Sequence, residues 1–200
     1  LHHVRAVTRA RPAALVVADM PFLSFQTGVE DAVRNAGRFV QEAGADAVKL
    51  EGGERVAAAV RRIVEAGIPV MGHLGLTPQS VLVFGGYRVQ GRAEADRERL
   101  LREARLLEAC GCFAVVLEGI PASLGAAASR ELSIPTIGIG AGPGCDGQVL
   151  VSHDLLGLTQ GRVPKFVRRY ADVAGTTRDA FARYVADVKA RRFPTDEESY

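Results

Sequence analysis

The sequence has few cysteines, no excess of either charge and no long apolar segment. Cys110, Cys112 and Cys145 are too few for a disulfide framework, and Cys110 and Cys112 lack Cys-x-x-Cys spacing, so a reducing cytoplasm is expected. Lys and Arg total 25 against 23 Asp and Glu, and basic clusters are only pairs, so we expect no nucleic-acid partner. No apolar run approaches the ~18 residues that cross a bilayer, so no membrane partner is expected.

The order of apolar and amphipathic segments predicts an α/β protein with a parallel sheet. The 200 residues can bury one core, which predicts a single domain over 1–200. Near-continuous apolar runs alternate with amphipathic stretches, as expected for parallel strands covered by helices. The predicted strands are 14–19, 46–51, 69–73, 113–118, 135–140 and 148–153. The predicted helices are 29–43, 54–66, 94–109, 122–131 and 178–192.

Two predicted helices carry further detail. Thr27 and Glu30 have capping-box spacing at the start of helix 29–43, and Gly44 marks its end. The last helix, about 178–192, is predicted to bury a stripe formed by Phe181, Tyr184, Val185 and Val188.

The count of strands suggests a barrel that continues upstream of this sequence. A closed parallel barrel usually has eight βα units, and six strands are predicted here. The chain also opens on what looks like the tail of a helix, without a start signal. We therefore expect a (β/α)8 TIM barrel whose first two βα units are absent from the sequence.

Three predicted strands end on carboxylates, namely Asp19, Glu51 and Glu118. The carboxyl ends of parallel strands meet at one rim, where barrel enzymes place their active sites. Asp19 and Glu51 could together bind a hard cation such as Mg²⁺. Equally, Asp19 could cap the turn before Pro21, and Glu51 could pair with Lys49.

Lys49 and Glu51 lie two residues apart, so in a strand they point to the same face. Lys49 could neutralise a substrate carboxylate or an enolate, form a Schiff base, or pair with Glu51. Neutralising a charge on the substrate is favoured over Schiff-base formation, because a neighbouring metal would already polarise a carbonyl. Glu118, at the end of an apolar strand, suits a general base, or it could cap the following helix. His73 could bind a ligand, transfer a proton or support a neighbouring acid.

The rim loops are rich in glycine. Gly138, Gly140 and Gly142 do not match the dinucleotide fingerprint, because Pro143 occupies its third glycine position and no helix is predicted to open there. Asp146 and Gln148 are more readily interpreted as turn formers than as ligand contacts. The loops 74–92 and 141–148 are candidates for holding a ligand.

Several motifs resemble those of the ketopantoate hydroxymethyltransferase family, in order along the chain. They are Ala18-Asp19-Met20-Pro21-Phe22, Val48-Lys49-Leu50-Glu51-Gly52-Gly53, Gly72-His73-Leu74-Gly75-Leu76-Thr77-Pro78-Gln79-Ser80, Phe84-Gly85-Gly86-Tyr87, Val89-Gln90-Gly91-Arg92, Ile137-Gly138-Ile139-Gly140-Ala141-Gly142, Asp146-Gly147-Gln148-Val149-Leu150-Val151 and Pro164-Lys165-Phe166. The family's Gly-Asp-Ser motif, which supplies a further metal ligand, does not occur, and we expect it in an upstream segment.

The resemblance implies a barrel of the phosphoenolpyruvate/pyruvate type, Mg²⁺ as cofactor and a cytoplasmic homodecamer. It implies transfer of a hydroxymethyl group from 5,10-methylenetetrahydrofolate to the 2-oxo acid 3-methyl-2-oxobutanoate, the first step of pantothenate biosynthesis. Asp19 then corresponds to the aspartate that binds metal and substrate, and Lys49 to the substrate-binding lysine. Glu51 corresponds to the metal-contacting glutamate and Glu118 to the proton acceptor, while His73 is a possible supporting residue.

Two other functions remain open from the sequence. The same scaffold could carry a Mg²⁺-dependent lyase or mutase of 2-oxo acids. A truncated barrel without catalytic activity, kept as a ligand-binding or interaction protein, is the other alternative.

Overall fold

The computed structural model describes residues 1–161 and 163–200. They divide into two compact units, Leu1–Val149 and Leu150–Tyr200. The first unit holds the strands and six of the helices, and the second holds two helices. The organisation as a single catalytic domain stays a prediction. Among the described residues, no helix combines the length and apolarity needed to cross a membrane.

Six parallel strands form one sheet, in which each strand pairs with the next along the chain. This sequential order is the arrangement from which parallel barrels are built, so the predicted parallel α/β fold is confirmed. The strands are β1 (Val17–Asp19), β2 (Ala47–Glu51), β3 (Val70–Gly75), β4 (Ala114–Glu118), β5 (Thr136–Ile139) and β6 (Gly147–Gln148).

Helices connect the strands. In the first unit they are α1 (His2–Thr8), α2 (Val29–Ala43), α3 (Ala57–Glu65), α4 (Val81–Phe84), α5 (Glu94–Ala109) and α6 (Ala122–Glu131). The second unit contains α7 (Ser152–Leu155) and α8 (Val173–Lys189). Three short 3-10 segments add Glu54–Val56, Pro78–Ser80 and Asp196–Glu198. Helices α2, α5 and α6 have the bounds that the sequence predicts.

The two faces of the sheet differ in character because side chains alternate along each strand. One face belongs to the hydrophobic core; its members include Ala18, Val48, Leu50, Val70, Leu74, Val115 and Leu117. Gly72 lies on this face, and a Cβ there would meet Leu107 of α5 at 2.7 Å, so the glycine allows α5 to approach β3 closely. The opposite face is free to carry the polar residues of β1 to β4.

Several predicted boundaries and contacts are wrong. Strand β6 ends at Gln148, and Ser152–Leu155 is helical, because a short apolar run such as 149–151 does not distinguish strand from helix. Strand β1 is shorter than 14–19, whereas β3 continues past His73 to Gly75, where it still pairs with β4. The Thr27–Glu30 capping box does not form: Gly28 is the N-cap, and the Thr27 hydroxyl bonds the Asp31 carboxylate instead.

The last helix also departs from its prediction. Helix α8 begins at Val173 rather than 178, because the Asp172 side chain accepts the N–H of Gly175 and caps it there. It ends at Lys189 rather than 192. The stripe predicted to be buried is exposed, from 43% at Val188 to 66% at Phe181. The periodicity indicates an amphipathic helix but does not guarantee that its apolar side is covered.

Candidate active site

Four neighbouring strands bring five polar side chains to the same face and the same end of the sheet. Strand register places Asp19 beside Lys49, Glu51 beside His73, and Glu118 beside Gly75. Asp19, Glu51 and Glu118 are the last residues of β1, β2 and β4, as the sequence predicts. The carboxyl ends of adjacent parallel strands therefore assemble one cluster of acids around a lysine and a histidine.

Lys49 lies at the centre of a row of contacts that crosses three strands. Its Nζ is 2.8 Å from Asp19 Oδ1 on β1 and 3.2 Å from His73 Nδ1 on β3. The Lys49 side chain is only 17% exposed, whereas the Asp19 carboxylate is 56% exposed. Asp19 therefore stands at the solvent edge of the cluster, and the lysine lies between it and the buried histidine.

His73 and Glu118 extend this row to β4. His73 Nε2 is 3.1 Å from Glu118 Oε2, and its side chain is almost completely buried. Among the described residues, however, His73 Nε2 has no hydrogen-bond partner. The two observations agree if the carboxylate lies near Nε2 but off the direction of an N–H bond, since hydrogen bonds weaken steeply when bent.

Glu51 lies on the same face, next to this row rather than in it. Its Oε2 accepts the backbone N–H of Gln79 at 2.9 Å, and its Oε1 is 3.9 Å from His73 Nδ1. Burial raises the pKa of the Glu51 carboxyl, and the Gln79 N–H and the charge of Lys49 oppose that rise only in part. The protein thus holds a carboxylate where water solvates it poorly.

These contacts decide between some of the alternatives. Lys49 forms its ion pair with Asp19, so the proposed Lys49–Glu51 pair is wrong. Glu118 does not cap the next helix, because Pro121 is the N-cap of α6. The turn at Pro21 is closed by its own backbone, through the Ser24 N–H and the Pro21 carbonyl at 3.0 Å. The roles of Asp19, Lys49, Glu51, His73 and Glu118 in catalysis or binding remain predictions.

Gln79 is a member of the site that the sequence argument did not single out. Besides its backbone bond to Glu51, its side-chain amide donates to the carbonyl of Met20 at 2.8 Å. It thereby links the loop after β3 to the loop after β1. The sequence signal for the Gln79 contact is Pro78, because proline often occupies the first position of a helical turn. The backbone N–H groups at the start of such a turn have no partner within it, so the N–H of Gln79 can bind the Glu51 carboxylate.

The side chains of Asp146 and Gln148 form hydrogen bonds around the β5–β6 connection, which favours the expected structural role, although Gln148 itself belongs to β6. Asp146 Oδ2 accepts the N–H of Thr136 at 2.8 Å and its hydroxyl at 2.9 Å, and these bonds lower the pKa of the Asp146 carboxyl. The Gln148 side chain donates to the carbonyl of Gly142 at 3.0 Å. Both residues therefore fix the loop between β5 and β6.

Comparison with known proteins gives one consistent result. The sequence model of the ketopantoate hydroxymethyltransferase family matches residues 1–196. The chain is 56% identical to the 3-methyl-2-oxobutanoate hydroxymethyltransferase of Pelobacter propionicus and 59% identical to that of Moorella thermoacetica. Each alignment covers 100% of this chain and 74% of the relative.

Solved structures show a likeness in fold alone. Phosphonopyruvate hydrolase superposes with a TM-score of 0.56 at 14% sequence identity, over 98% of this chain and 70% of that chain.

Proposed function

The chain belongs to the ketopantoate hydroxymethyltransferase family, and we propose that it transfers a hydroxymethyl group from 5,10-methylenetetrahydrofolate to 3-methyl-2-oxobutanoate. The product is 2-dehydropantoate, also called ketopantoate, and the reaction is the first step of pantothenate biosynthesis. The observation that carries the proposal is the row Asp19–Lys49–His73–Glu118. It supplies a base and a fixed positive charge at the rim of the sheet, in a chain that resembles enzymes of this name over its whole length.

The reaction requires these two kinds of group. Carbon 3 of the oxo acid becomes a nucleophile only when its proton is removed, and the resulting enolate carries a negative charge. Glu118, whose side chain is 15% exposed, is the proposed base. Lys49 is placed to stabilise the developing charge and to bind the substrate carboxylate, because its ammonium is fixed before the substrate arrives.

The donor set also fits a magnesium ion. Mg²⁺ is commonly bound through one or two carboxylates and keeps several waters, and Asp19 and Glu51 are two such carboxylates on adjacent strands. Within residues 1–161 and 163–200, no group of three or more His, Cys, Asp or Glu side chains is arranged to hold a metal. Bound Mg²⁺ would supply Lewis-acid polarisation of the substrate's 2-oxo group. Asp19 and Glu51 are the residues that would hold it.

The remaining parts of the proposal are a complete (β/α)8 barrel of the phosphoenolpyruvate/pyruvate type, a homodecamer and a cytoplasmic location. The sequential order of six parallel strands supports the barrel. The decamer, the cytoplasm and the folate donor rest on the family resemblance alone.

The alternative functions have less support. The structural likeness to phosphonopyruvate hydrolase, at 14% identity, concerns the fold and says nothing about lyase or mutase chemistry. A protein that only binds ligands would not need an acid, a histidine and a lysine in direct contact on three adjacent strands. The transferase is therefore the function that the site supports best.

The test separates deprotonation from the complete reaction. The purified protein with Mg²⁺ should exchange the C3 proton of 3-methyl-2-oxobutanoate for deuterium, observed by ¹H NMR, and should form ketopantoate when the folate is added. EDTA should stop product formation, and added Mg²⁺ should restore it. Glu118→Gln should reduce exchange by about 100-fold or more while substrate binding persists.

Glu98→Gln is the matched control for this variant. Glu98 lies on α5 with a side chain that is 63% exposed, and its substitution should leave exchange unchanged. Exchange at the wild-type rate in Glu118→Gln would remove Glu118 from the proposed role. A wild-type protein that neither exchanges the proton nor forms ketopantoate would contradict the proposed function as a whole.

A further inference from the structure

His73 is held rigidly between the two groups that the proposed reaction needs most. Its backbone is part of β3, and its carbonyl also accepts the N–H of Gly52 at 2.9 Å. One ring nitrogen faces Lys49 on β2 and the other faces Glu118 on β4. The side chain is only 3% exposed, so its surroundings leave the ring little freedom to turn.

The contact with Lys49 determines which ring nitrogen carries the proton. An ammonium group has donors and no acceptor, so a nitrogen 3.2 Å away must offer its lone pair. Nδ1 is therefore the unprotonated nitrogen, because a proton on Nδ1 would place two donors against each other. The hydrogen of the neutral imidazole then lies on Nε2.

The Nε2–H group faces Glu118 without a hydrogen bond. It is buried and has no partner among the residues described, and a buried donor without a partner costs about 1–3 kcal/mol. Glu118 Oε2 lies 3.1 Å from Nε2, which is within hydrogen-bond distance. A hydrogen bond would form if the carboxylate oxygen moved into line with the Nε2–H bond. Hydrogen bonds of catalytic groups are often poorly aligned before the substrate binds and improve in the complex.

We propose that His73 is a positioning residue: Lys49 fixes its Nε2–H tautomer, and the Nε2–H group orients the Glu118 carboxylate toward the C3 proton of 3-methyl-2-oxobutanoate. The inference rests on the proposed function, since it assigns a role within the same reaction. It differs from a purely structural role, in which the imidazole would only fill space between β2 and β4. The two roles make different predictions because the first depends on one particular ring nitrogen.

Two substitutions separate the nitrogens. Asparagine places an amide near the position of Nδ1 and leaves the position of Nε2 empty, whereas the longer glutamine places an amide N–H near Nε2. We expect His73→Asn to reduce kcat for C3-proton exchange by about 10- to 100-fold with a KM that changes by about twofold at most. His73→Gln should recover most of that loss. His153→Asn, at an exposed histidine of α7, should leave both constants unchanged.

The inference is overturned if His73→Asn and His73→Gln lose the same activity, or if the loss appears in KM alone. Exchange must first be present in the wild-type protein, and its absence there would instead contradict the proposed function.

A measurement on the unsubstituted protein tests the tautomer independently of activity and of any folding defect. The sequence contains four histidines, so the solid-state ¹⁵N NMR spectrum of histidine-labelled protein has few ring-nitrogen signals. The signals of His73 are those that disappear in the spectrum of His73→Gln. We expect the Nδ1 shift of an unprotonated ring nitrogen and the Nε2 shift of a protonated one. A protonated Nδ1 would refute the proposal, whatever the kinetics of the variants.

Discussion

Replacing Gly75 with alanine should destabilise the protein and displace the proposed base. Gly75 ends β3 with a φ of +92°, a conformation that residues with a Cβ rarely adopt. A Cβ at this position would lie 2.2 Å from the carbonyl oxygen of Glu118 and 2.8 Å from Ile120 Cγ2. The same carbonyl accepts the N–H of Leu76 at 2.7 Å, so it cannot move without disturbing the pairing of β3 with β4.

The size of the effect follows from two contributions. Holding a residue other than glycine in a sparsely populated backbone conformation costs about 1–3 kcal/mol. Relieving the overlap with a backbone atom in a packed region costs another 1–3 kcal/mol, approximately. A combined loss of about 2–6 kcal/mol is a large part of the 5–15 kcal/mol by which domains are stable. Because the displaced carbonyl belongs to Glu118, proton exchange should fall as well.

The assay compares Gly75→Ala with Gly37→Ala by urea unfolding, followed by circular dichroism. Gly37 lies inside α2 and has no positive φ, and among the described residues no heavy atom beyond the adjacent residues and the nearby helix backbone lies within 4 Å of an added Cβ. Alanine there should raise the free energy of unfolding by about 0.5–1 kcal/mol. If Gly75→Ala unfolds at the wild-type urea concentration and keeps its full exchange rate, the argument from the close approach of β3 and β4 is wrong.

Three further predictions concern single groups. Burial raises the pKa of Glu51, so the folded state binds the proton of this carboxyl more tightly than the unfolded state does. At neutral pH the ionised carboxylate therefore destabilises the fold, and metal-free Glu51→Gln should have a higher urea midpoint than the wild type. This difference in midpoint should shrink as the pH falls through the folded-state pKa. Burial raises the pKa of the Cys112 thiol to about 12, so iodoacetamide followed by peptide mass analysis should find the half-buried Cys145 modified first, and equal rates would contradict this. Asp146→Ala should lower the free energy of unfolding by about 1–3 kcal/mol because the buried Thr136 N–H loses its acceptor, and Asp146→Asn should lose less; an unchanged urea midpoint in Asp146→Ala would refute this.

The sequence predicted the elements of the sheet better than the contacts between them. Continuous apolar runs end where the strand leaves the core, which is why Asp19, Glu51 and Glu118 were recognised as strand ends. The pattern within β2 also shows that Lys49 and Glu51 share a face. It does not show which neighbour each will contact, because that depends on the register with β1 and β3, and the register pairs Lys49 with Asp19.

Two other differences have similar causes. The spacing of Thr27 and Glu30 satisfies the capping-box rule, yet Gly28 takes the cap position and the Thr27 hydroxyl finds the Asp31 carboxylate instead. The stripe on α8 has the correct period for one apolar side, yet Phe181 is 66% exposed. A local sequence pattern indicates that a segment tends to form a cap or an amphipathic helix. It does not specify which group accepts the hydrogen bond of Thr27 or which surface covers the apolar side of α8.

The contacts of Lys49 allow the two proposed roles, substrate binding and control of the base, to be combined in one site. Its ammonium has three donors, of which one is directed at Asp19 and another at His73 Nδ1. One donor is left for an anion that binds at the rim, so the lysine can bind a carboxylate without releasing the histidine. Since the histidine in turn faces Glu118, the lysine proposed to attract the substrate and the carboxylate proposed to remove its proton are connected through a single buried ring. This connection depends on β2, β3 and β4 lying side by side, because Lys49, His73 and Glu118 each come from one of these three strands.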